Sequence, residues 1–252
     1  MCTLAIYFQL FRDYPVVIAA NRDEYLARPA TSPEILAEKP RVIGGKDLKA
    51  GGTWLGINEY SLVAGLLNRH NQGAPDPARR SRGLLCLEAL RYRTAGEALD
   101  YVRRQNGSAY NPFNLLLVSR GEALVAYNQS GLIATARLEP GLHLLTNLDV
   151  DDFECPKISR AYDRFAALAR DPEFAANPLQ ERARLRELLA DHATQLDSRS
   201  AAPNAICLHL DGYGTRSSSM IFFGAGGQVA SYLFAPGPPC VTEYAPAAIP
   251  TA

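Results

Sequence analysis

The sequence lacks the features that mark a secreted, membrane-spanning or nucleic-acid-binding chain. No apolar run approaches the roughly 18 residues that a membrane helix needs, and no basic block disturbs the balance of 26 Lys and Arg against 26 Asp and Glu. The N-terminus has neither a charged region nor a small-residue cleavage site, so we expect no secretory signal. We therefore expect no nucleic-acid partner and no stable membrane insertion.

Cysteine patterns are also missing. The chain has five cysteines, an odd number, and they are widely scattered without any CxxC pair. Such usage is typical of a reduced chain that has neither a disulfide framework nor a zinc site. We therefore predict a cytoplasmic protein with no metal site and no bound cofactor. The five residues are Cys2, Cys86, Cys155, Cys207 and Cys240.

The length of 252 residues is enough for one large domain with a full core. No interdomain linker and no internal repeat is visible, so we predict a single domain spanning residues 1–252. The pattern alternates between strands and helices, and short turns join neighbouring strands, which favours antiparallel sheets. We predict an α+β fold, a four-layer αββα sandwich of two mainly antiparallel sheets between helix layers.

Local patterns supply the elements of this fold. The prolines and glycine pairs of residues 27–52 indicate an extended crossing rather than a helix. Apolar residues recur at helical spacing in four later segments, and apolar runs predict strands in the final third. The helical segments are 81–92, 94–104, 157–169 and 179–193, the late strands are 205–210, 213–223 and 228–234, and the tail after residue 235 is predicted to be irregular.

Cys2 directly follows the initiator methionine. Removal of Met1 would leave a thiol and a free α-amine on one residue, with reference pKa values of about 8.5 and about 8. An amine of that basicity can take the proton of the neighbouring thiol near neutral pH. This is the minimal apparatus of an N-terminal-nucleophile (Ntn) amidohydrolase. The alternative is that Cys2 is a small buried residue at the start of a strand.

Polar residues follow several predicted strands at the point where each strand ends or begins. Asn21 to Glu24 follow the second strand, Asn68 and Asn147 each end another, and Arg216 opens a late strand. Side-chain amides are neutral donors that suit a developing oxyanion. Each asparagine alone is typical of a turn, but their common position at strand ends predicts that they converge with Cys2.

Four motifs, in order, resemble those of the NRDE family, which is also called the transport-and-Golgi-organisation family. The similarity runs from the first residue to about residue 234. The motifs are Met1-Cys2-Thr3, Asn21-Arg22-Asp23-Glu24, Gly51-Gly52-Thr53-Trp54-Leu55-Gly56 and Tyr213-Gly214-Thr215-Arg216-Ser217-Ser218.

A more distant similarity is to the choloylglycine hydrolase and penicillin V acylase group of Ntn hydrolases, which also begin with Met-Cys-Thr. This resemblance implies that Cys2 is the nucleophile. It also implies that Asn68 supplies an oxyanion donor and that Asn147, in Leu-Thr-Asn, contacts the α-amine.

The same group carries an Arg-Asn-x-Asp motif that places a cation beside the thiol and a carboxylate beside the amine. Asn21 and Asp23 match its last part, but Ala20 stands where the arginine would be. Arg22 and Arg216 are the two candidates for the missing cation, and the sequence leaves the choice open.

Two functions remain open on these residues. The first is an amidohydrolase or acyltransferase that acts on a small amide through Cys2. The second, implied by the family resemblance, is a non-catalytic carrier or chaperone for a hydrophobic ligand such as haem or lipid, with a role in haem trafficking. A retained Met1 would favour the carrier, because it blocks the α-amine. Nothing in the sequence indicates an oligomeric state.

Overall fold

The computed structural model describes residues 2–70, 73–192 and 204–250. The chain groups into two compact units, and each contains one seven-stranded antiparallel sheet. The first unit is Met1–Ala27 with Pro140–Ala247, and the second is Arg28–Glu139 with Ala248–Ala252. The single domain expected over residues 1–252 stays a prediction.

Strands outnumber helices in the part of the chain that the structure describes. The strands are β1 (Thr3–Phe8), β2 (Val16–Tyr25), β3 (Glu34–Glu38), β4 (Arg41–Lys46), β5 (Thr53–Asn58), β6 (Val63–Asn68), β7 (Phe113–Ser119), β8 (Glu122–Gln129), β9 (Leu132–Arg137), β10 (Gly141–Leu145), β11 (His209–Leu210), β12 (Tyr213–Phe223), β13 (Val229–Ala235) and β14 (Ala245–Pro246). The helices are α1 (Arg82–Ala89), α2 (Ala95–Arg103), α3 (Pro156–Ala169), α4 (Pro172–Ala176) and α5 (Arg182–Leu189), and a 3-10 turn spans Gly107–Ala109. Among the described residues, no helix is both long and apolar enough to cross a membrane.

The first sheet brings the predicted polar segments to one end. Its strand order is β10-β1-β2-β12-β13-β14, with β11 paired to β12. Leu4 lies opposite Leu145 on one side of β1, and Thr3 lies opposite Asn21 on the other. Asn21 in turn lies opposite Ser218 of β12. One end of the sheet therefore collects the start of β1, the end of β2, the end of β10 and the first half of β12.

The core of the first unit lies between this sheet and helices α3, α4 and α5. Ile158, Ala161, Phe165 and Leu168 of α3 are spaced three or four residues apart, which aligns them on one helix face. The hydroxyl of Tyr7, which is fully buried on β1, donates to the carbonyl of Phe165 at 2.9 Å. This hydrogen bond satisfies the only polar atom of the Tyr7 side chain, so the ring can pack in the core.

The second unit has its sheet in the order β3-β4-β5-β6-β7-β8-β9, and helices α1 and α2 pack against its apolar residues. Thr94 caps α2, because its side chain accepts from the amide of Glu97 at 3.2 Å. Gly52 has a φ of +74°, and a β-carbon there would lie 2.0 Å from the carbonyl carbon of Gly83. Only glycine fits this close approach.

The structure confirms the α+β fold with two antiparallel sheets and corrects several local expectations. The segment 27–52 is not a simple crossing, because β3 and β4 form a hairpin within it. The strand expected over 205–210 is reduced to His209–Leu210. Helix α4 was not predicted, and the tail contributes the two-residue strand β14.

Candidate active site

Cys2 lies immediately before β1 and contacts the main chain of Asp23. The amide of Asp23 donates to the Cys2 Sγ at 3.3 Å, and the thiol lies 3.4 Å from the Asp23 carbonyl oxygen. These contacts follow from the register, because Thr3 pairs with Asn21 and so brings the preceding residue alongside the end of β2. The thiol is partly buried.

The carboxylate of Asp23 is fixed from the neighbouring strand. Asp23 is only 2% exposed, and its Oδ1 accepts from the hydroxyl of Thr215 at 2.7 Å. Thr215 lies directly opposite Asp23 in the β2–β12 register, so the two side chains leave the sheet on the same face. The hydroxyl of Tyr213 also donates to the Asp23 carbonyl, at 3.2 Å.

Asn21 bridges three parts of the first unit. Its Nδ2 donates to the carbonyl of Leu189 at 2.8 Å and to that of Ile206 at 3.1 Å. Its Oδ1 accepts from the hydroxyl of Ser218 at 2.6 Å. The side-chain amide thus joins the end of α5, the segment before β11 and strand β12, beneath the start of β1.

The two candidate cations occupy different positions. Arg22 is 8% exposed, and its guanidinium lies 3.8 Å from the Glu24 carboxylate. Because side chains alternate along a strand, Arg22 points to the opposite face from Asp23. Arg216 is the extra residue of a β-bulge between Thr215 and Ser217. A bulge interrupts the regular pairing and changes the direction in which a side chain points.

Burial raises the pKa of the Cys2 thiol above its ordinary value, and the Asp23 carboxylate adds to the rise. The hydrogen bond from the Asp23 main chain and the charge of Arg22 oppose it. The charge of Arg22 therefore acts in favour of the thiolate. While Met1 is attached, the nitrogen of Cys2 is an uncharged amide and cannot stabilise a thiolate. The arrangement then favours the neutral thiol.

Lys157 was not among the predicted site residues, yet it is buried beside them. It is the second residue of α3, directly after Pro156, and is 1% exposed. Burial lowers the pKa of Lys157, while the negative charges of Asp23 and Cys2 act in the opposite direction. A lysine in the first turn of a helix opposes the helix dipole. A lysine directly after the proline that begins a helix was therefore the one sequence feature that could have indicated a special role for Lys157.

The two predicted asparagines lie in different units. Asn147 follows β10 by two residues, and since Leu145 pairs with Leu4, it lies at the Cys2 end of the first sheet. Asn68 is the last residue of β6 in the second unit, lies opposite Phe113 and is exposed.

The Cys2 end of the first sheet also holds polar atoms without partners. Four buried side-chain atoms there have no hydrogen-bond partner among the residues that the structure describes. Buried polar atoms in native proteins are normally satisfied by protein, water or a bound molecule. The four are Thr3 Oγ1, Asn147 Oδ1, Arg216 Nε and Ser217 Oγ.

Comparison of the whole chain with solved structures identifies the class of fold. The N-acylethanolamine-hydrolyzing acid amidase ortholog of Caenorhabditis elegans superposes with a TM-score of 0.56 and 12% identity, over 90% of this chain and 93% of that one. Conjugated bile acid hydrolase from Clostridium perfringens gives a TM-score of 0.55 and 11% identity, over 100% of this chain and 98% of that one. The fold is that of the Ntn hydrolases.

The family follows from sequence comparison. The family model described as Transport and Golgi organisation 2 matches residues 1–232, so the chain belongs to that family. The human Transport and Golgi organization protein 2 homolog is 28% identical over 244 residues, which cover 86% of this chain and 84% of the relative. The family named above for its Asn-Arg-Asp-Glu motif is this same family.

Proposed function

We propose that this protein is an amide hydrolase whose nucleophile is Cys2 after removal of Met1. The observation that carries the proposal is the contact between the Cys2 thiol and the main chain of Asp23, at 3.3 Å and 3.4 Å. It holds the sulfur beside a buried carboxylate that Thr215 fixes in place. A thiol that merely filled space at a strand start would need neither neighbour.

The proposed reaction uses the free α-amine of Cys2 as the base. The amine takes the thiol proton, the sulfur attacks the amide carbonyl carbon, and the resulting oxyanion collapses as the carbon–nitrogen bond breaks. The α-ammonium returns its proton to the leaving amine, and a thioester on Cys2 remains. Water, deprotonated by the same amine, then hydrolyses the thioester and releases the carboxylic acid.

Neighbouring groups support these steps. The Asp23 carboxylate stabilises the α-ammonium that forms when the thiol loses its proton. The unpartnered Oδ1 of Asn147 is an acceptor of the kind that an α-amine would use, and this matches the role that the resemblance gives it. The negative charge of Asp23 partly offsets the fall that burial causes in the pKa of Lys157, so the two side chains interact across the site. Arg22 favours the thiolate over the thiol.

We propose a small carboxamide as the substrate class. The two solved structures named above are described as an N-acylethanolamine-hydrolyzing acid amidase and a conjugated bile acid hydrolase, so both names denote hydrolysis and the first denotes cleavage of an amide. These two compound classes therefore make suitable first probes for this chain.

The experiment compares one polypeptide with and without Met1. Protein with the native start is compared with protein that carries a short Gly-Ser extension before Met1, which keeps the nitrogen of Cys2 an amide, and intact mass gives the fraction of native-start protein processed in the cell. We expect the isolated protein to lack Met1. We also expect iodoacetamide to label Cys2 faster after removal, because a positive charge on its own α-nitrogen lowers the pKa of the thiol.

Hydrolysis of the two probe classes is then measured on processed wild type, Cys2→Ser and Cys155→Ser. We expect turnover by the wild type and by Cys155→Ser, which makes the same atomic change at another cysteine, and loss of most turnover in Cys2→Ser. A natively retained Met1, unchanged labelling after its removal and tight binding of free haem would contradict the hydrolase and favour the carrier.

A further inference from the structure

Two histidines and two cysteines from separate stretches of chain meet in the first unit. The chain has only four His and five Cys in all, and two of each gather here. The ligand atoms of the four residues all lie within 4.8 Å of one another. The residues are His192 after α5, Cys207 and His209 before and in β11, and Cys240 in the tail.

The three distances among Cys207, His209 and Cys240 are close to the edges of a tetrahedron around a metal ion. Around a tetrahedral zinc ion, with zinc–sulfur distances of about 2.3 Å and zinc–nitrogen distances of about 2.0–2.1 Å, neighbouring ligand atoms lie roughly 3.3–3.8 Å apart. The two sulfur atoms, of Cys207 and Cys240, are 3.7 Å apart. The Nε2 of His209 lies 3.6 Å from the Cys207 sulfur and 3.2 Å from the Cys240 sulfur.

Other contacts hold these stretches in place. The carbonyl of Asp191, next to His192, accepts from the amide of Cys207 at 2.9 Å. The side chain of Arg186 donates to the carbonyl of Pro239 at 3.0 Å and so fixes the turn that carries the second cysteine. The cluster is therefore prearranged by ordinary hydrogen bonds, as binding of a metal ion to a folded protein requires.

The ring of His192 lies against the ring of His209. The rings of His192 and His209 are 5.0 Å apart between centroids and inclined at 65°. Both histidines are exposed, whereas Cys207 is buried and Cys240 half-buried. The cluster thus has sulfur on its inner side and imidazole on its outer side, which leaves solvent a path by which an ion can enter.

We propose that His192, Cys207, His209 and Cys240 bind one zinc ion. Two thiolates and two neutral imidazoles neutralise a divalent cation, and thiolate with imidazole is the mixed donor set that zinc prefers. Four protein ligands leave no open coordination position, so the site is structural. It ties the end of α5, the segment before β11 and the tail together.

The zinc site is connected to the environment of Asp23. Cys207 is followed by Leu208, whose amide donates to the Thr215 hydroxyl at 2.9 Å, and the same hydroxyl donates to Asp23 at 2.7 Å. Zinc bound at Cys207 would therefore also hold Leu208 in place, and Leu208 positions the Thr215 hydroxyl that binds the Asp23 carboxylate.

The sequence expectation of no metal site rested on the missing CxxC pairs. The proposed ligands are instead separated by up to 48 positions (240 − 192 = 48), and the nearest two are spaced as Cys-x-His. Ligand spacing alone therefore could not indicate the site.

The test measures the metal bound by protein purified without a histidine tag. Mass spectrometry of the metal content should find about one zinc per chain in the wild type. Cys207→Ser and Cys240→Ser should lose it, whereas Cys155→Ser, with the same atomic change outside the cluster, should retain it. After zinc is replaced by cobalt(II), the wild type should show the visible bands of a tetrahedral site and a thiolate charge-transfer band.

A second variant keeps the test valid if loss of a buried cysteine prevents folding. His209 is exposed, so His209→Gln should fold, and circular dichroism checks that it does. Loss of a hydrogen-bond partner of a metal ligand weakens metal affinity by ~10–100-fold. Because His209 is a ligand itself, His209→Gln should weaken zinc affinity by more than that.

Three results would overturn the proposal. One is wild-type protein that binds no zinc when zinc is supplied, and another is equal zinc content in all four variants. The third is a complete Cys207–Cys240 disulfide in protein isolated under reducing conditions. The measurement needs no substrate and no catalytic assay, so it can fail or succeed independently of the proposed hydrolase.

Discussion

Replacing Thr215 by valine tests how strongly one hydroxyl holds the Cys2 end of the first sheet. The hydroxyl donates to Asp23 Oδ1 at 2.7 Å and accepts from the Leu208 amide at 2.9 Å, and both bonds are buried. Valine keeps the side-chain shape but removes both the hydrogen bond to the Asp23 carboxylate and the acceptor of the Leu208 amide. A bond to a charged group contributes about 1.5–3 kcal/mol and an orphaned buried amide costs about 1–3 kcal/mol, so we expect a loss of about 2.5–6 kcal/mol.

The assay is urea unfolding of wild type, Thr215→Val and Thr215→Ser. Serine keeps the hydroxyl and removes one methyl group, so it should cost only about 1 kcal/mol. With a denaturant slope near 3 kcal/mol/M, the valine variant should unfold at a urea concentration lower by roughly 1 M or more. A valine variant as stable as the serine variant would refute the role given to the hydroxyl.

Two further predictions concern Lys157 and Asn68. Because burial lowers the pKa of Lys157 from 10.5, the unfolded chain binds more protons below that value, so the unfolding free energy of wild type should rise relative to that of Lys157→Met as the pH increases toward 10.5. Parallel stability profiles of the two proteins between pH 7 and pH 10 would argue against a strained lysine. If Asn68 donates to the oxyanion as the sequence resemblance implies, Asn68→Ala should reduce kcat on an active amide by about 10²–10³-fold and leave Cys2 labelling unchanged. An unaltered kcat would remove Asn68 from the reaction.

The elements that the sequence predicted well are those with strong periodicity. Tyr213–Phe223 has the predicted bounds, and α3 begins one residue before the predicted start. The hairpin of β3 and β4 was missed because its prolines and glycines are typical of irregular chain. In the structure Pro40 lies in the turn between the two strands, with a cis peptide bond to Lys39, and so does not interrupt either strand. Tertiary pairing outweighed local propensity there.

The candidate site was predictable as far as the strand ends could be recognised. Cys2, Asp23, Asn147 and Arg216 could be assigned to one end of a sheet because each adjoins an apolar strand. The contacts of Thr215 with Asp23, and the burial of a lysine on α3, depend on pairing between segments about 130 to 190 residues apart in sequence. No local pattern contains that information.

The C-terminal tail has a practical consequence for anyone who produces this protein. The family model ends at residue 232, and a recombinant fragment designed from it would end there. Beyond that point, Tyr244 donates to Ser218, the partner of Asn21, and Glu243 pairs with Arg186 of α5. A fragment cut at the family boundary would lose the last three residues of β13, all of β14 and these contacts. Poor yield or aggregation of such a fragment would therefore report on the missing tail rather than on the family fold.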